Sequence, residues 1–247
     1  MKIVNYYDLH AHVLPGIDDG PKYMSKSLDI ARVAYANGTQ VMIASPHKLD
    51  VNINSSINYI RTLLTEFQKQ LKVNNIDLEI LLGMENHIDP NLPQDFKDGK
   101  ALTINDTKYI LVELPPDSYP KFVNEVLLKL KLEGLVPIIV HPERHPVIQK
   151  TPSMLSELIS IGALSQITAG SLVGKFGEYA TKTSEFLIRH NLAHLIASDT
   201  HSAVGYRNPS LKEGIEAAKS LIGTERALQM VKKTPEAIVH NESILKT

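Results

Sequence analysis

The sequence predicts an α/β fold in which βα units are wound around a parallel sheet, and three observations support this. Short apolar, β-branched runs recur along the chain, each is followed by a longer stretch of helical period, and no Gly-, Pro- or Ser-rich linker interrupts the alternation. The strand candidates are KIVNYYDLH (2–10), TQVMIASPH (39–47), LEILLGME (78–85), KYILVEL (108–114), VPIIVHPE (136–143), SQITAG (165–170) and HLIASDTH (194–201). Seven such units suggest a closed or nearly closed barrel, one strand short of the eight-stranded form, while an open doubly wound sheet has the same local pattern.

The intervening stretches read as helices. Ile57, Ile60, Leu64, Phe67 and Leu71 recur at spacings of three and four, so residues 55–73 carry one apolar stripe. Residues 23–37, 120–133, 153–161, 177–190 and 210–232 fit similar helices. The last region ends in KTPEAIVHNESIL, which either completes the barrel wall or forms a subunit contact.

Composition narrows the function classes. An apolar content of 43% is ample for a sizeable core, and one domain is expected over residues 1–247. The 26 basic and 27 acidic side chains leave a formal charge of -1 with no long like-charge block, so no nucleic-acid partner is expected. There is no cysteine, which excludes disulfides, thiolate metal sites and a cysteine nucleophile, and fits a reducing compartment such as the cytoplasm. The N-terminus turns polar after one lysine, and no segment approaches the roughly 18 apolar residues of a membrane span, so membrane insertion is not expected.

Both candidate architectures gather catalytic groups just past the C-terminal ends of the strands. Nearly every strand candidate ends in a metal-ligand type: His10 and His12, His47, Glu85, Glu113, His141, then Asp199 and His201. A lone Glu or His at a strand end is usually a hydrogen-bonded cap, but their joint placement on one rim is hard to produce by chance. In the His10/His12 and Asp199/His201 pairs, a one-residue gap on extended backbone sends both side chains to the same face, about 6–7 Å apart. The turn-rich PGIDDG folds a carboxylate back over the rim. Asp19 is the member taken as ligand, and Asp18 is the alternative that caps the turn or faces solvent. So many nitrogen and oxygen donors would over-supply one ion, which favours two or three bridged ions, and suits Mn, Fe or Zn better than Ca or Mg.

The set DLHAHVLPGIDDGP, ASPH, GME, ILVELP, VHPER and ASDTH resembles the polymerase and histidinol phosphatase (PHP) superfamily of metal-dependent phosphoesterases. Within it, the chain is most similar to the bacterial protein-tyrosine phosphatases of the CpsB and YwqE type, which act with capsule and exopolysaccharide operons. The similarity runs in order from the first strand to about residue 207, and NDTKYILVEL, SQITAGSL and GKFGE fit the same group. The resemblance implies a distorted (β/α)7 TIM-like barrel, the PHP fold, holding three divalent ions, manganese first, with iron, zinc or magnesium as alternatives. It implies one ion on His10, His12, Glu85 and Asp199, a second on Glu85, Glu113 and His141, and a third on Asp19, His47 and His201, with Glu85 as the bridge. Lys48 stands where relatives often have a second histidine, which puts a fixed cation in place of a titratable group on the substrate side.

Arg144, three residues after His141, and Arg207, six after His201, are the candidates to grip phosphate, because a guanidinium fork matches phosphate oxygens at any working pH. The competing role for either is to pair with a nearby acid such as Glu143. Arg32, Arg61, Arg189 and Arg226 fall in helical stretches, and His87, His145, His190, His194 and His240 read as surface or supporting residues. The expected chemistry is in-line attack on phosphorus by a water activated by the ions, with His201 and Asp199 as candidates to protonate the leaving oxygen through a water. The proline-rich LPPDSYPKF (114–122) is either a stiff rim loop shaping access or a plain connector. The resemblance implies a phosphotyrosine protein substrate, naturally an autophosphorylated, membrane-associated bacterial tyrosine kinase. Another phosphoesterase of the superfamily, such as a histidinol phosphatase, is the alternative, and a non-catalytic metal-binding module the third.

Overall fold

The computed structural model describes residues 5–244, so residues 2–4 of the first strand candidate and Leu245 of the last helical region lie outside it. Among the described residues the strands are β1 (Tyr6–Ala11), β2 (Thr39–Ala44), β3 (Glu79–Leu82), β4 (Glu85–His87), β5 (Tyr109–Glu113), β6 (Val136–Val140), β7 (Leu164–Thr168) and β8 (Leu195–Ala197). All pairings are parallel, in the orders β1-β2-β3 and β4-β5-β6-β7-β8.

The two sheets are joined at both edges. On one side β3 and β4 are successive pieces of a single strand candidate that changes neighbour at Gly83 and Met84. Gly83 N donates to Ala44 O at 2.9 Å, Glu85 N donates to Pro46 O at 3.1 Å, and β4 then pairs with β5. The expected continuous strand 78–85 is therefore broken, and the residue at the break must be small: a Cβ on Gly83 would lie 2.6 Å from Ile43 Cγ2. Buried Asn86 binds the break together, its amide donating to the carbonyls of Met84, Leu102 and Leu111. On the other side β8 returns to β1 through an Ala11–Thr200 bridge, with His12 N donating to Thr200 O and Asp199 N to His10 O. The strands thus form a ring.

Alternation along the strands sorts the core into layers, as expected when both faces of a parallel sheet are buried. Leu9, Ile43, Leu111, Ile138, Val140, Leu164 and Leu195 fill the inside of the ring. Residues of the opposite alternation, Ile110, Val112, Ile139, Ile167 and Ile196, face the outer helices, and Met42, Ala44 and Ile80 do the same beside β1–β3. The helix Ile57–Val73 buries Ile60, Phe67 and Leu71 of the stripe read from sequence, and Ser56 caps it by accepting from Tyr59 N.

Two helical expectations change. The stretch 210–232 is two helices, Leu211–Ile222 and Thr224–Gln229, because Gly223 takes a positive φ of 82° between them. A short helix, Lys48–Asn54, also follows His47. The terminal helix Lys233–Val239 buries Ile238 and Val239 in the inner cluster, and Tyr109 Oη donates to Glu242 O. The C-terminal region therefore plugs the end of the ring at the start of β5, which leaves the C-terminal strand ends open for a site.

One close approach sets this packing. A Cβ on Gly214 would meet Ala169 Cβ at 2.6 Å and Ala169 Cα at 2.7 Å, so the helix Leu211–Ile222 touches backbone that cannot move aside cheaply. Gly214→Ala is expected to destabilise the chain by about 1–3 kcal/mol through overpacking, read as a lower urea midpoint at unchanged slope.

Candidate metal centre

The ring brings all nine sequence-predicted metal candidates, and both arginines, to its open end. The reciprocal backbone bonds between the ends of β1 and β8 hold Asp199 and His201 opposite His10 and His12. At the ends of β6 and β8 the chain turns sharply: His141 and Asp199 both sit at positive φ, 37° and 51°, an uncommon conformation for residues with a Cβ. His47 lies three residues past the end of β2 and immediately precedes the helix Lys48–Asn54.

Buried Glu85 is the centre. Its Oε2 lies 3.2 Å from His10 Nε2, 3.1 Å from His12 Nε2 and 3.0 Å from His47 Nδ1, while Oε1 lies 2.7 Å from His141 Nε2. Asp199 Oδ1 approaches the His10 and His12 Nε2 atoms at 3.6 and 3.5 Å. Asp19 Oδ1 reaches His201 Nε2 at 3.0 Å and His47 Nε2 at 3.5 Å, and Glu113 Oε1 is 3.8 Å from His141 Nε2. Three groups have ligand atoms within 4.8 Å of one another: His10, His12 and Glu85; His47, Glu85 and Glu113; and His12, Asp19, His47 and His201. The geometry shares His12 and His47 between groups more than the resemblance implies, with Asp199 and His141 at the margins.

Supporting contacts orient the rings. His10 Nδ1 pairs with Gln166 Oε1 at 2.9 Å, which leaves Nε2 facing the cluster, and Gln166 Nε2 donates to Ile167 O. His12 Nδ1 pairs with Asp18 Oδ2 at 2.7 Å. Asp18 also accepts from Gly20 N and His47 N, so it caps the turn as expected and in addition fixes His12 and the approach to His47. His201 Nδ1 faces Asp199 O at 3.0 Å, which turns its Nε2 outward. Such partners set the tautomer and basicity of a ligating imidazole. Sequence reasoning missed Gln166 entirely. Its one signal was a polar residue at an inward position of an apolar run.

Electrostatics show what the cluster wants. Burial alone would lower the His12 pKa, but Asp18 and Glu85 overcome it and hold it at about 9. Burial likewise opposes the His47 charge, yet Asp19 and Glu85 raise it to about 11. For Glu85 and Asp199 burial would raise the pKa, and it is outweighed by His10 and its neighbours at Glu85 and by Arg144 and the histidines at Asp199, so both stay well below the usual range. Carboxylates this deep need a cation, whether protons on imidazoles or bound metal. His201 Nε2 and Asp199 Oδ2 are buried without a hydrogen bond of normal geometry, with only the charged neighbours Asp19 and Arg144. A donor set of imidazoles and carboxylates with two such atoms fits divalent transition ions.

A cavity of about 460 Å³ opens over the cluster, bounded by Glu113, Leu114, Pro116, Phe176, Tyr206 and both arginines. Arg144 pairs with Asp199 at 2.8 Å rather than with Glu143, whose buried carboxylate accepts from Thr168 N and Ser171 Oγ. The Arg144 guanidinium also sits 4.8 Å from the Phe176 ring centre. Arg207 donates to Asp19 Oδ2 at 2.8 Å and lies 3.6 Å from Asp199. The 114–122 stretch does shape the rim: buried His145 holds it by Nε2 contacts to Pro115 O and Ser118 O. Lys48 does not face the cavity. It is 2% exposed and its ammonium bonds Asp89 and Asp95, so the expected substrate-side contact is replaced by a structural ion pair. His87 lies 3.8 Å from Glu113, and His190 and His240 are on the surface.

A parallel α/β ring with a histidine and carboxylate cluster at its C-terminal strand ends has the layout of a metal-dependent hydrolase. Residues 6–240 match the family model for capsular polysaccharide synthesis proteins CpsB/CapC, and the chain belongs to that family. It is 36% identical over 239 residues to the tyrosine-protein phosphatase YwqE of Bacillus subtilis, covering 97% of this chain and 93% of YwqE. It is 33% identical to CapC of Staphylococcus aureus with the same coverage. Among solved structures, one from a study of YwqE of Bacillus subtilis and CpsB of Streptococcus pneumoniae, described as metal-dependent tyrosine phosphatases, superposes with a TM-score of 0.90 at 33% identity. That match spans 98% of this chain and 97% of the other.

Ions that bind only the folded chain at a free concentration of about 100 Kd add about 2.7 kcal/mol, roughly 5–10 °C in Tm at this size. Adding Mn to the metal-stripped chain is expected to raise Tm by that order, and Glu85→Gln to abolish most of the rise. An undiminished rise in Glu85→Gln would remove Glu85 from the centre.

Proposed function

We propose that the chain is a metal-dependent protein-tyrosine phosphatase. The observation that carries this reading is the pairing, in one cavity, of the Glu85-centred donor cluster with the Arg144 and Arg207 guanidinia. The names of its relatives support it. The proposed ligands are His10, His12, Asp19, His47, Glu85, Glu113, His141, Asp199 and His201, holding three divalent ions, manganese first. Bound ions of this kind supply a nucleophile at neutral pH and neutralise phosphoryl oxygens.

The chain's own residues do the rest. Arg144 and Arg207 exchange their present carboxylate partners for phosphate oxygens, and their bidentate donors hold the phosphoryl group as charge develops. The Phe176 ring backs the Arg144 guanidinium, and Leu114, Pro116, Phe176 and Tyr206 offer an apolar wall to the phenyl ring of the substrate. The absence of cysteine closes the thiolate route, and direct hydrolysis without a phosphoenzyme is the route proposed. In this reading His201 and Asp199, both beside the ions, would orient the water that returns a proton to the leaving oxygen; phenolate, with a pKa near 10, needs little such help.

No helix among the described residues is long and apolar enough to cross a membrane. The proposed setting is the cytoplasm, with residues 1–247 working as one phosphoesterase domain on the phosphotyrosines of a membrane-associated bacterial tyrosine kinase in capsule or exopolysaccharide production. The test is hydrolysis of phosphotyrosine peptide, phosphoserine peptide and histidinol phosphate by metal-stripped chain refilled with Mn, Fe, Zn or Mg. Metal-dependent turnover selective for phosphotyrosine is expected, with kcat/KM down by about 10²–10³ in Arg144→Ala. Preference for histidinol phosphate would replace the reading with a metabolic phosphatase.

A further inference from the structure

The cavity over the cluster is not the largest hollow on this face. A second one of about 970 Å³ lies beside it, between the helix Met24–Ala36 and the loop that follows His201, and shares Asp19, Tyr206 and Arg207 with the first as common wall. The first, at about 460 Å³, lies toward the lower end of ligand pockets, which run from about 300 to 1,000 Å³.

The wall on the loop side is preorganised. His201 N and Ser202 N both donate to Arg207 O, Thr200 Oγ1 donates to Arg207 O and to Ser202 O, and Gly205 turns the tip at a φ of 81°. Yet the tip projects apolar groups into solvent: Val204 is 77% exposed and Tyr206 62%. On the helix side Ile30 and Val33 continue the apolar lining. The edge is cationic. Lys26 and Arg32 share Asp29 as acidic partner, and Asp19, the other acid of this wall, is engaged by His201 and Arg207.

We propose that this second hollow is a docking groove for the polypeptide flanking the phosphotyrosine, preferring acidic residues there. The inference rests on the phosphatase reading and names how its substrate is held. With the phosphate over the cluster and the phenyl ring against the wall made by Phe176 and Tyr206, whose rings meet edge to face with centroids 5.8 Å apart, a chain leaving the phosphotyrosine passes the shared wall into the groove. There it meets an apolar floor and an edge with surplus positive charge. A small aryl phosphate ends at Tyr206 and gains nothing from the groove.

The experiment compares kcat/KM for an acidic-flanked phosphotyrosine peptide, a lysine-flanked one and phenyl phosphate, using the Mn-loaded full-length chain. Wild type is expected to favour the acidic peptide over phenyl phosphate. Val204→Asp and Arg32→Glu, both surface changes outside the cluster, are expected to cut the ratio of acidic peptide to phenyl phosphate about tenfold, and Arg32→Glu to shift preference toward the lysine-flanked peptide. Unchanged ratios in both variants would overturn the groove while leaving the phosphatase reading standing. Loaded chain that hydrolyses neither phenyl phosphate nor any peptide would overturn the phosphatase reading, and the groove with it.

Discussion

The Glu85 carboxylate, buried at the mouth of the ring and touching four imidazoles, is the constraint on which the rest depends. A buried carboxylate costs several kcal/mol unless positive charge surrounds it, and His10, His12, His47 and His141 supply that from three different strand ends. Those strand ends must then arrive in register. The broken strand at Gly83 allows this, because it lets Glu85 leave the β2 side of the ring and begin the ladder with β5 while still bridging His47. Packing and chemistry therefore converge at one sequence position.

Around that centre the site is graded. Closest in, Gln166 and Asp18 set the rings of His10 and His12. Farther out, Asp199 and Asp19 occupy Arg144 and Arg207, so both guanidinia are positioned by the same acids that face the histidines. In the proposed reaction a phosphate entering the cavity would compete for arginines already held in place, and preorganised donors of this kind stabilise charge with little reorganisation. Lys48, although adjacent to His47 in sequence, spends its charge on Asp89 and Asp95 at the base of the neighbouring helices.

Much of this was legible in the sequence, for a physical reason. Residues just past a parallel strand must face the rim, so His10, His12, His47, Glu85, Glu113, His141, Asp199 and His201 could be placed together from strand patterns alone. The stripe at Ile57, Ile60, Phe67 and Leu71 was readable because periodicity survives any tertiary context. What was hidden depends on contacts distant in sequence. Gln166 acts on a ring 156 positions away. Arg144 takes Asp199 instead of its neighbour Glu143 because the turn after His141 buries Glu143 against Thr168 and Ser171. The breaks at Gly83 and Gly223 needed knowledge of the packed neighbour and of the backbone angle, and a lone glycine in a periodic run carries neither.

The donors gathered around Glu85 suit a carboxylate shared between ions. The direct measurement is anomalous diffraction at the manganese edge from crystals of the Mn-loaded chain. Three peaks among the strand ends are expected, with Glu85 coordinating more than one. A single peak, or peaks that leave Glu85 uncoordinated, would contradict that sharing.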